Sequence, residues 1–525
     1  MKILFTTSHF GFLRNFEPTI RILAERGHTI HLVADRGEHI GGTRTVEGLV
    51  RDHPSSIFHS RGPSPRGRSW NAFGTGVRRS LDYWRYVNPR YDDAPDLKAR
   101  AATQSVKGAV AISELPMLGG SFSMRCLMSV GRAVERAVPP AKEVVRFLGT
   151  ERPDVVLITP LLYFGSSQVD YVRAARLLRI PSVLCVGSWD HLTTKGLIHD
   201  IPDRVTVWNE VQAAEANQLH DVPAGRVVVT GAQAYDRWFV GTPHTTRDEF
   251  CGQLGFDPSR NILLYVCSSG FITPYEVNFV EQWLQGVRGH PNAMLREANV
   301  LIRPHPQNFS QWDGVDFMKY GSVAIWPRAG ANPVDDEARA AYFDSMYFSA
   351  GVVGVNTSAL IESGIVGRPV FTVLTKEFSG KQEGTLHFQH LRKVSGGLLQ
   401  VGTNLDEHFK QIEVSLEAGH EDQSRRRSFL ESFVRPHGLD RPAGPILADA
   451  IESSSELKCF PLSESMWLRF LRLLLTPFAV LTRWTSERAR KSGSRGSSVP
   501  TERPQNTLRV LFAMASPEYL RYYDG

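Results

Sequence analysis

The sequence predicts an α/β protein of two successive domains, each built on a parallel sheet, facing each other across a cleft. Two observations predict it. A strand, a helix, a glycine stop and a second strand follow one another within the first 34 residues. Short unbroken apolar runs then alternate with helical patterns through two long stretches, as strands buried on both faces do.

Lys2-Ile3-Leu4-Phe5 is the first apolar run and ends in the polar loop Thr6 to Gly11. Phe16, Ile20, Leu23 and Ala24 share one face of the helical pattern that follows, and Gly27 closes it as a C-cap. Thr29 to Ala34 is the second strand. Residues from about 60 to 135 break this rhythm with an Arg-, Gly- and Pro-rich start and the aromatic, basic stretch Leu81 to Tyr86. They read as a helical insertion, whose charges are either simply solvated or form an acceptor-binding lobe. Apolar runs resume at 153–158, 181–186, 203–208 and 226–231, with a helix at 171–178, and complete a first domain of residues 1–240. A link near 235–248, with Asp236 ordering the hinge, leads to a second domain, residues 241–455, with runs at 261–266, 300–303, 352–355 and 369–372.

Residues 456–484 carry an apolar segment interrupted by Arg469, Arg472 and Pro477 and edged by Trp467 and Trp484. About 20 apolar residues are needed to span a bilayer, so this one either lies in the membrane interface or packs as an amphipathic helix on the protein itself. The charged, Ser/Pro-rich residues 485–507 are expected to form a flexible linker. Arg509 to Asp524 can be laid without gaps on Lys2 to Glu17, keeping the pairs Phe5/Phe512, Leu13/Leu520, Arg14/Arg521 and Glu17/Asp524. An isolated strand and loop cannot form a sheet, so 508–525 are expected to start a truncated second domain of the first type.

Composition narrows the function. A net charge of +6 over 525 residues suits an anionic substrate or an anionic membrane surface, and no basic stripe interleaved with aromatics speaks for nucleic acid. Five scattered cysteines without CxxC or Cys/His spacing argue against a disulfide framework and a structural zinc site. The amino-terminal run turns polar too early for a signal peptide, so the cytoplasm is the expected compartment. Asp335-Asp336-Glu337 reads as a solvated helix start rather than a metal site, because neighbouring side chains on a helix point apart.

The most specific chemistry lies in the second half. Arg303-Pro304-His305-Pro306 follows one strand, and Asn356-Thr357-Ser358 precedes a helical run carrying Glu362, with Gly367-Arg368-Pro369 beyond. A helix start after Asn, Thr and Ser offers backbone N–H groups to a phosphate. Glu362, one turn later, suits ribose hydroxyls, and Arg303 and His305 suit a diphosphate. Ligands of open α/β sheets sit at the carboxyl ends of the strands, so these loops should converge.

This pair of loops resembles the donor half of GT-B glycosyltransferases, nearest to capsule-polysaccharide glycosyltransferases and CDP-glycerol glycerophosphotransferase-like proteins. The nonhydrolysing UDP-N-acetylglucosamine 2-epimerases share that fold. As architecture the resemblance covers roughly residues 1–450, whereas the motifs match only in the second half. It implies two Rossmann-like domains and a metal-independent glycosyltransferase with no cofactor, the nucleotide-activated sugar being a substrate. It also implies a polysaccharide or lipid-linked acceptor at the cell envelope, which the segment 456–484, where it lies in the interface, would meet as a peripheral contact on the inner face of the membrane. Ser269, Gly270, Arg303, His305, Asn356, Thr357, Ser358 and Glu362 would then hold the donor. Related transferases carry Gly-His-x-x-Pro ahead of the first helix, its histidine acting as base. Counting back from Pro18 puts Asn15 there, and Asn cannot accept the proton. His9 and Glu17 are the substitutes, with Glu17 preferred because its partner in the repeat, Asp524, is also acidic. Arg14 and the loop Gly187 to Gly196, with Trp189, Asp190 and Lys195, are the expected acceptor contacts, Asp190 being a third catalytic candidate. Epimerisation of a UDP-sugar and a non-catalytic, nucleotide-sugar-binding scaffold remain open beside transfer.

Overall fold

The computed structural model describes all residues except 38–40, 64–68, 116–120, 331–332, 334, 419–422, 458, 460–464 and 496–525, with the backbone alone at 121 and 485–495. The expected repeat at 508–525 therefore lies outside the described residues. Two parallel sheets organise the rest. The first contains β1 (Lys2–Thr7), β2 (Thr29–Ala34), β3 (Ile57–Arg61), β4 (Val155–Thr159), β5 (Ser182–Cys185), β6 (Arg204–Val207) and β7 (Val227–Val229) in the order β3-β2-β1-β4-β5-β6-β7. The second contains β8 (Ile262–Val266), β9 (Asn299–Arg303), β10 (Val323–Ile325), β11 (Gly351–Gly354), β12 (Val370–Val373) and β13 (Gln400–Gly402) in the order β10-β9-β8-β11-β12-β13. Both orders reverse beside their first strand, the doubly wound topology of two Rossmann-like domains and the arrangement of GT-B proteins.

Every apolar run expected to be a strand is one. The central strands β1, β4, β5, β8 and β9 are almost wholly buried, which is why their sequences carry no polar alternation. The strands that sequence reading misses, β3, β10 and β13, are all sheet edges. An edge strand is half-solvated, and in β3 only Ile57 is fully buried, so its apolar signal is weak. The first helix, Glu17–Glu25, starts with Pro18 in its first turn and buries Ile20, Leu23 and Ala24. Gly27 takes φ +82°, the left-handed conformation that ends it.

The insertion is a helical layer, and Arg78, Asp82, Arg85 and Glu135 in it are buried rather than solvated. Helices Pro95–Gln104 and Ser121–Ala137 pack on Ser69–Arg85, and the cluster they form takes in Leu197 of the first domain. Glu135, almost fully buried, ties the layer down: its carboxylate lies 2.6 Å from Arg173 on the Val169–Leu178 helix and 3.6 Å from Arg78. Removing one partner of a buried ion cluster leaves the others uncompensated, so Glu135→Ala should cost about 3–5 kcal/mol of folding stability. A denaturant midpoint close to wild type would refute that.

The carboxyl end returns to the first domain. Helix Ala443–Ser454, assigned by sequence to the second half, sends Leu447, Ala448 and Ile451 into the core beneath β1 and the Glu17–Glu25 helix. Asp236 makes this crossing possible, accepting from Arg435 at 2.7 Å and from the amides of Ala443 and Gly444 at 2.9 and 2.6 Å. The next helix, Met466–Arg495, runs through the first part of the expected linker, a stretch rich in good helix formers.

Candidate functional site

The carboxyl ends of both sheets open on a common cleft with two adjoining cavities. Arg14, Tyr235 and Arg237 of the first half and Arg303, His305, Tyr342 and Glu362 of the second line one. His9, Arg14, Asp190, His191 and Lys195, with Ser269, Asn356 and His387 opposite, line the other, and Arg100 of the insertion reaches it. Thr357 and Ser358 belong to both, as do Arg14, Asn15 and His305. The two motif loops of the second half thus converge where strand ends place them.

In the first cavity Glu362 accepts from the Tyr342 hydroxyl at 2.6 Å. Burial pushes its carboxyl up, while the Tyr342 bond and the nearby Arg237 and Arg14 favour the anion. His305 Nδ1 accepts from the Gln307 amide at 3.1 Å, so in the neutral ring the proton sits on Nε2, a donor. Burial, then Arg14, lowers its pKa to about 4, so the ring is neutral at physiological pH. Arg303 is mostly enclosed: its guanidinium lies 5.3 Å from the Trp326 ring centroid and 4.9 Å from that of Tyr342, and donates to Ser345 Oγ at 2.8 Å. Burial brings its pKa down to about 10. It borders the cavity while propping the Tyr342 ring that holds Glu362.

Asn356 commits its side-chain NH2 to structure, donating to the Lys381 carbonyl at 2.6 Å, while its buried Oδ1 has no partner among the described residues. Thr357 and Ser358 carry the exposed part of that loop, their amides unpaired among the described residues. Ser269 lines the second cavity. Gly270 lines neither and lies against Asn308. The β8 loop is held from below by Glu276, which accepts from the Ser268 amide at 3.0 Å.

In the second cavity Asp190 accepts from Ser188 Oγ at 2.6 Å and from Thr194 Oγ1 at 3.0 Å. Burial works against its ionisation, but Lys195, His191, His387 and the Ser188 hydroxyl outweigh it and hold the carboxyl far below the usual range. An anion so well satisfied is a poor proton acceptor, and Asp190 serves as the fixed counter-charge of this cavity. Trp189 is buried and meets the His387 ring edge-on at 4.9 Å. The whole Asp190–Gly196 loop hangs on the insertion. Arg85 donates to the carbonyls of Lys195 and Gly196 at 3.1 and 3.0 Å and also to that of Leu192. Tyr86 adds a bond to the Lys195 carbonyl at 2.7 Å, and Asp82 accepts from the amides of Gly165 and Leu197, both at 2.7 Å. The aromatic, basic stretch therefore shapes the cleft wall.

His9 and Glu17 separate clearly. His9 caps the turn after β1 and lines the second cavity. Its ring makes no hydrogen bond with the described residues and packs at a tilt on Phe12, ring centroids 4.5 Å apart. Burial, then Arg36 and Arg14, lowers its pKa to about 3. Glu17 lines neither cavity: its two oxygens pair with Arg21 and, across the halves, with Arg339, both at 3.0 Å. The preferred sequence candidate is thus ion-paired on both oxygens and lies outside both cavities. A carboxylate neutralised from both sides clamps the two halves together. Asn15 is likewise occupied, donating to the Gly187 carbonyl at 2.9 Å.

Arg237, Tyr342, Arg100 and His387 escape sequence reading. All four sit on helices away from the strand ends, and the only local sign is that Arg237 follows Asp236 at the hinge.

No family model matches this chain, and no curated protein does. Among solved structures, a UDP-GlcNAc 2-epimerase from Methanocaldococcus jannaschii aligns over 86% of this chain and 100% of its own, with 10% identity and TM-score 0.48. A glycosyltransferase from Rickettsia africae aligns over 87% and 99%, with 10% identity and TM-score 0.49. HepE from Anabaena, crystallised with UDP and glucose, aligns over 87% and 100%, with 12% identity and TM-score 0.45.

Proposed function

We propose that this protein transfers a sugar or sugar-like unit from a nucleotide-linked donor to a hydroxyl of a polysaccharide or lipid-linked acceptor. One observation carries the reading. Thr357 and Ser358, with Arg14 and His305, form the wall common to a carboxylate-bearing cavity and an imidazole-bearing one. A diphosphate on that wall takes the loop amides, the Arg14 charge and the His305 Nε2–H. The nucleoside then lies toward Glu362, whose carboxylate suits ribose hydroxyls, and the transferred unit lies toward His9. The acceptor oxygen attacks the anomeric carbon as the bond to the phosphate oxygen breaks. Its proton passes to the neutral His9 imidazole, and the electron pair leaves with the nucleoside diphosphate. Lys195 and Arg100 orient an acceptor in the second cavity. Five free thiols accord with the reducing cytoplasm, where we place the activity.

The test is melting of the purified chain against UDP, CDP, CMP, GDP and their sugar conjugates, with Glu362→Gln and Arg14→Ala alongside. A ligand at about 100 times its dissociation constant adds about 2.7 kcal/mol. One nucleotide series should stabilise the native chain and do so markedly less in both variants. A folded chain that responds to none of them sinks the reading, and turnover of a UDP-sugar to its epimer without acceptor replaces transfer by epimerisation.

A further inference from the structure

We propose that the Met466–Arg495 helix docks the protein on an anionic lipid surface, lying in the plane of the interface. The helix is apolar on two sides. Its inner side, with Leu468, Leu475 and the fully buried Ala479, rests on the Ser69–Arg85 and Ser121–Ala137 helices, where Arg472 Nε donates to the Ala137 carbonyl at 2.8 Å. Its outer side presents Trp467, Phe470, Leu473, Phe478, Leu481 and Trp484, each more than half exposed, with Leu473 at 72%. A helix with two apolar sides has two surfaces to cover, and only one of them is in this core. The Ser121–Ala137 helix beneath adds Phe122 and Val130, 74% and 62% exposed. So large an apolar surface on a soluble chain marks a contact site.

Charge selects the occupant. Between Met466 and Arg495 the sequence holds seven basic residues, Arg469, Arg472, Arg483, Arg488, Arg490, Lys491 and Arg495, against the single acid Glu487. A second copy seated on this helix would bring two such basic helices together, whereas anionic headgroups neutralise them. Tryptophans near both ends of the apolar stretch and cations along it are the composition of a helix held at headgroup depth. No helix among the described residues is long and apolar enough to cross a membrane, so the helix docks rather than spans. This proposal does not rest on the transfer reading.

The experiment is co-sedimentation of the full chain with phosphatidylcholine vesicles, with and without phosphatidylglycerol, beside a Trp467→Ser/Phe470→Ser/Leu473→Ser variant. Wild type should pellet with the anionic vesicles and much less with the neutral ones, and the variant should lose at least about tenfold of that binding. Melting temperature checks that the variant is folded, since all three side chains are exposed. Should it misfold, quenching of wild-type tryptophan fluorescence by brominated acyl chains, lost in Trp467→Phe/Trp484→Phe, serves instead. A wild type that stays in the supernatant, or a dimer in light scattering that the triple variant makes monomeric, overturns the proposal.

Discussion

His9→Ala will lower kcat by about 10²- to 10⁴-fold, the usual contribution of a positioned general base, while the melting temperature and nucleotide affinity stay near wild type. Glu17→Gln, by contrast, will keep kcat within about tenfold and raise KM, because its carboxylate holds Arg339 across the cleft and touches neither cavity. The low pKa of free His9, about 3, has burial as its largest cause, followed by Arg36 and Arg14. A diphosphate bound at Arg14 cancels part of that positive field and raises the pKa, so the base strengthens only once the donor is in place. Protonation removes a base, so both rate profiles fall on the acid side. The fall in kcat should come at a higher pH than the fall in kcat/KM, which reports the free enzyme. Steady-state kinetics of both variants across pH decide this. A large kcat loss in Glu17→Gln with full activity in His9→Ala would return the role to Glu17.

The second large effect is acid sensitivity. Burial lowers the pKa of His9 to about 3 and of His191, His305, His387 and His408 to about 4, and it also depresses His31 and His220. In the unfolded chain these rings protonate below their ordinary value of about 6.5, while the folded chain keeps them neutral. The unfolded state then binds more protons, and stability falls as pH drops through that value. Four buried carboxyls oppose the trend. Asp35, raised to about 7, and Glu276, raised to about 8, take up protons in the folded state first, and Asp170 and Glu362 are raised as well. Their contribution grows as pH falls. Setting only the five histidines lowered to about 3 or 4 against the two carboxyls raised to about 7 and 8, the balance near pH 5 is roughly three more protons bound on unfolding, about 4 kcal/mol lost per pH unit. A domain of ordinary stability should therefore unfold between about pH 4 and 5. Melting curves from pH 8 to 4 measure it directly. A melting temperature unchanged from pH 7 to pH 5 would mean that these histidines are open to solvent in the native state.

Much of the architecture is legible in the chain because central parallel strands are covered on both faces. Runs such as Val155 to Ile158 and Ile262 to Val266 have to be apolar throughout, and nothing beyond the local sequence is needed to see them. The edge strands β3, β10 and β13 blur because half of each faces solvent. Motif residues at strand ends were equally readable: Arg303, His305, Thr357, Ser358 and Glu362 follow apolar runs directly, and the topology carries them to the first cavity. The choice between His9 and Glu17 was not readable. It turns on Arg339, some 320 residues away, which exists as a partner only after the halves close. The insertion shows the same limit, since Arg85 and Asp82 bind carbonyls and amides of a loop over a hundred residues distant.

By itself, then, the sequence determined two parallel-sheet domains, the loops that meet in the cleft and the apolar, basic character of the last helix. All of these rest on local periodicity and on residues next to strand ends. Only the tertiary structure decided which titratable groups are neutralised by distant partners, which helices lend Arg237, Tyr342, Arg100 and His387 to the cleft, and which side of the last helix stays outside. Burial and pairing belong to the packed chain, and no short segment of the sequence carries them.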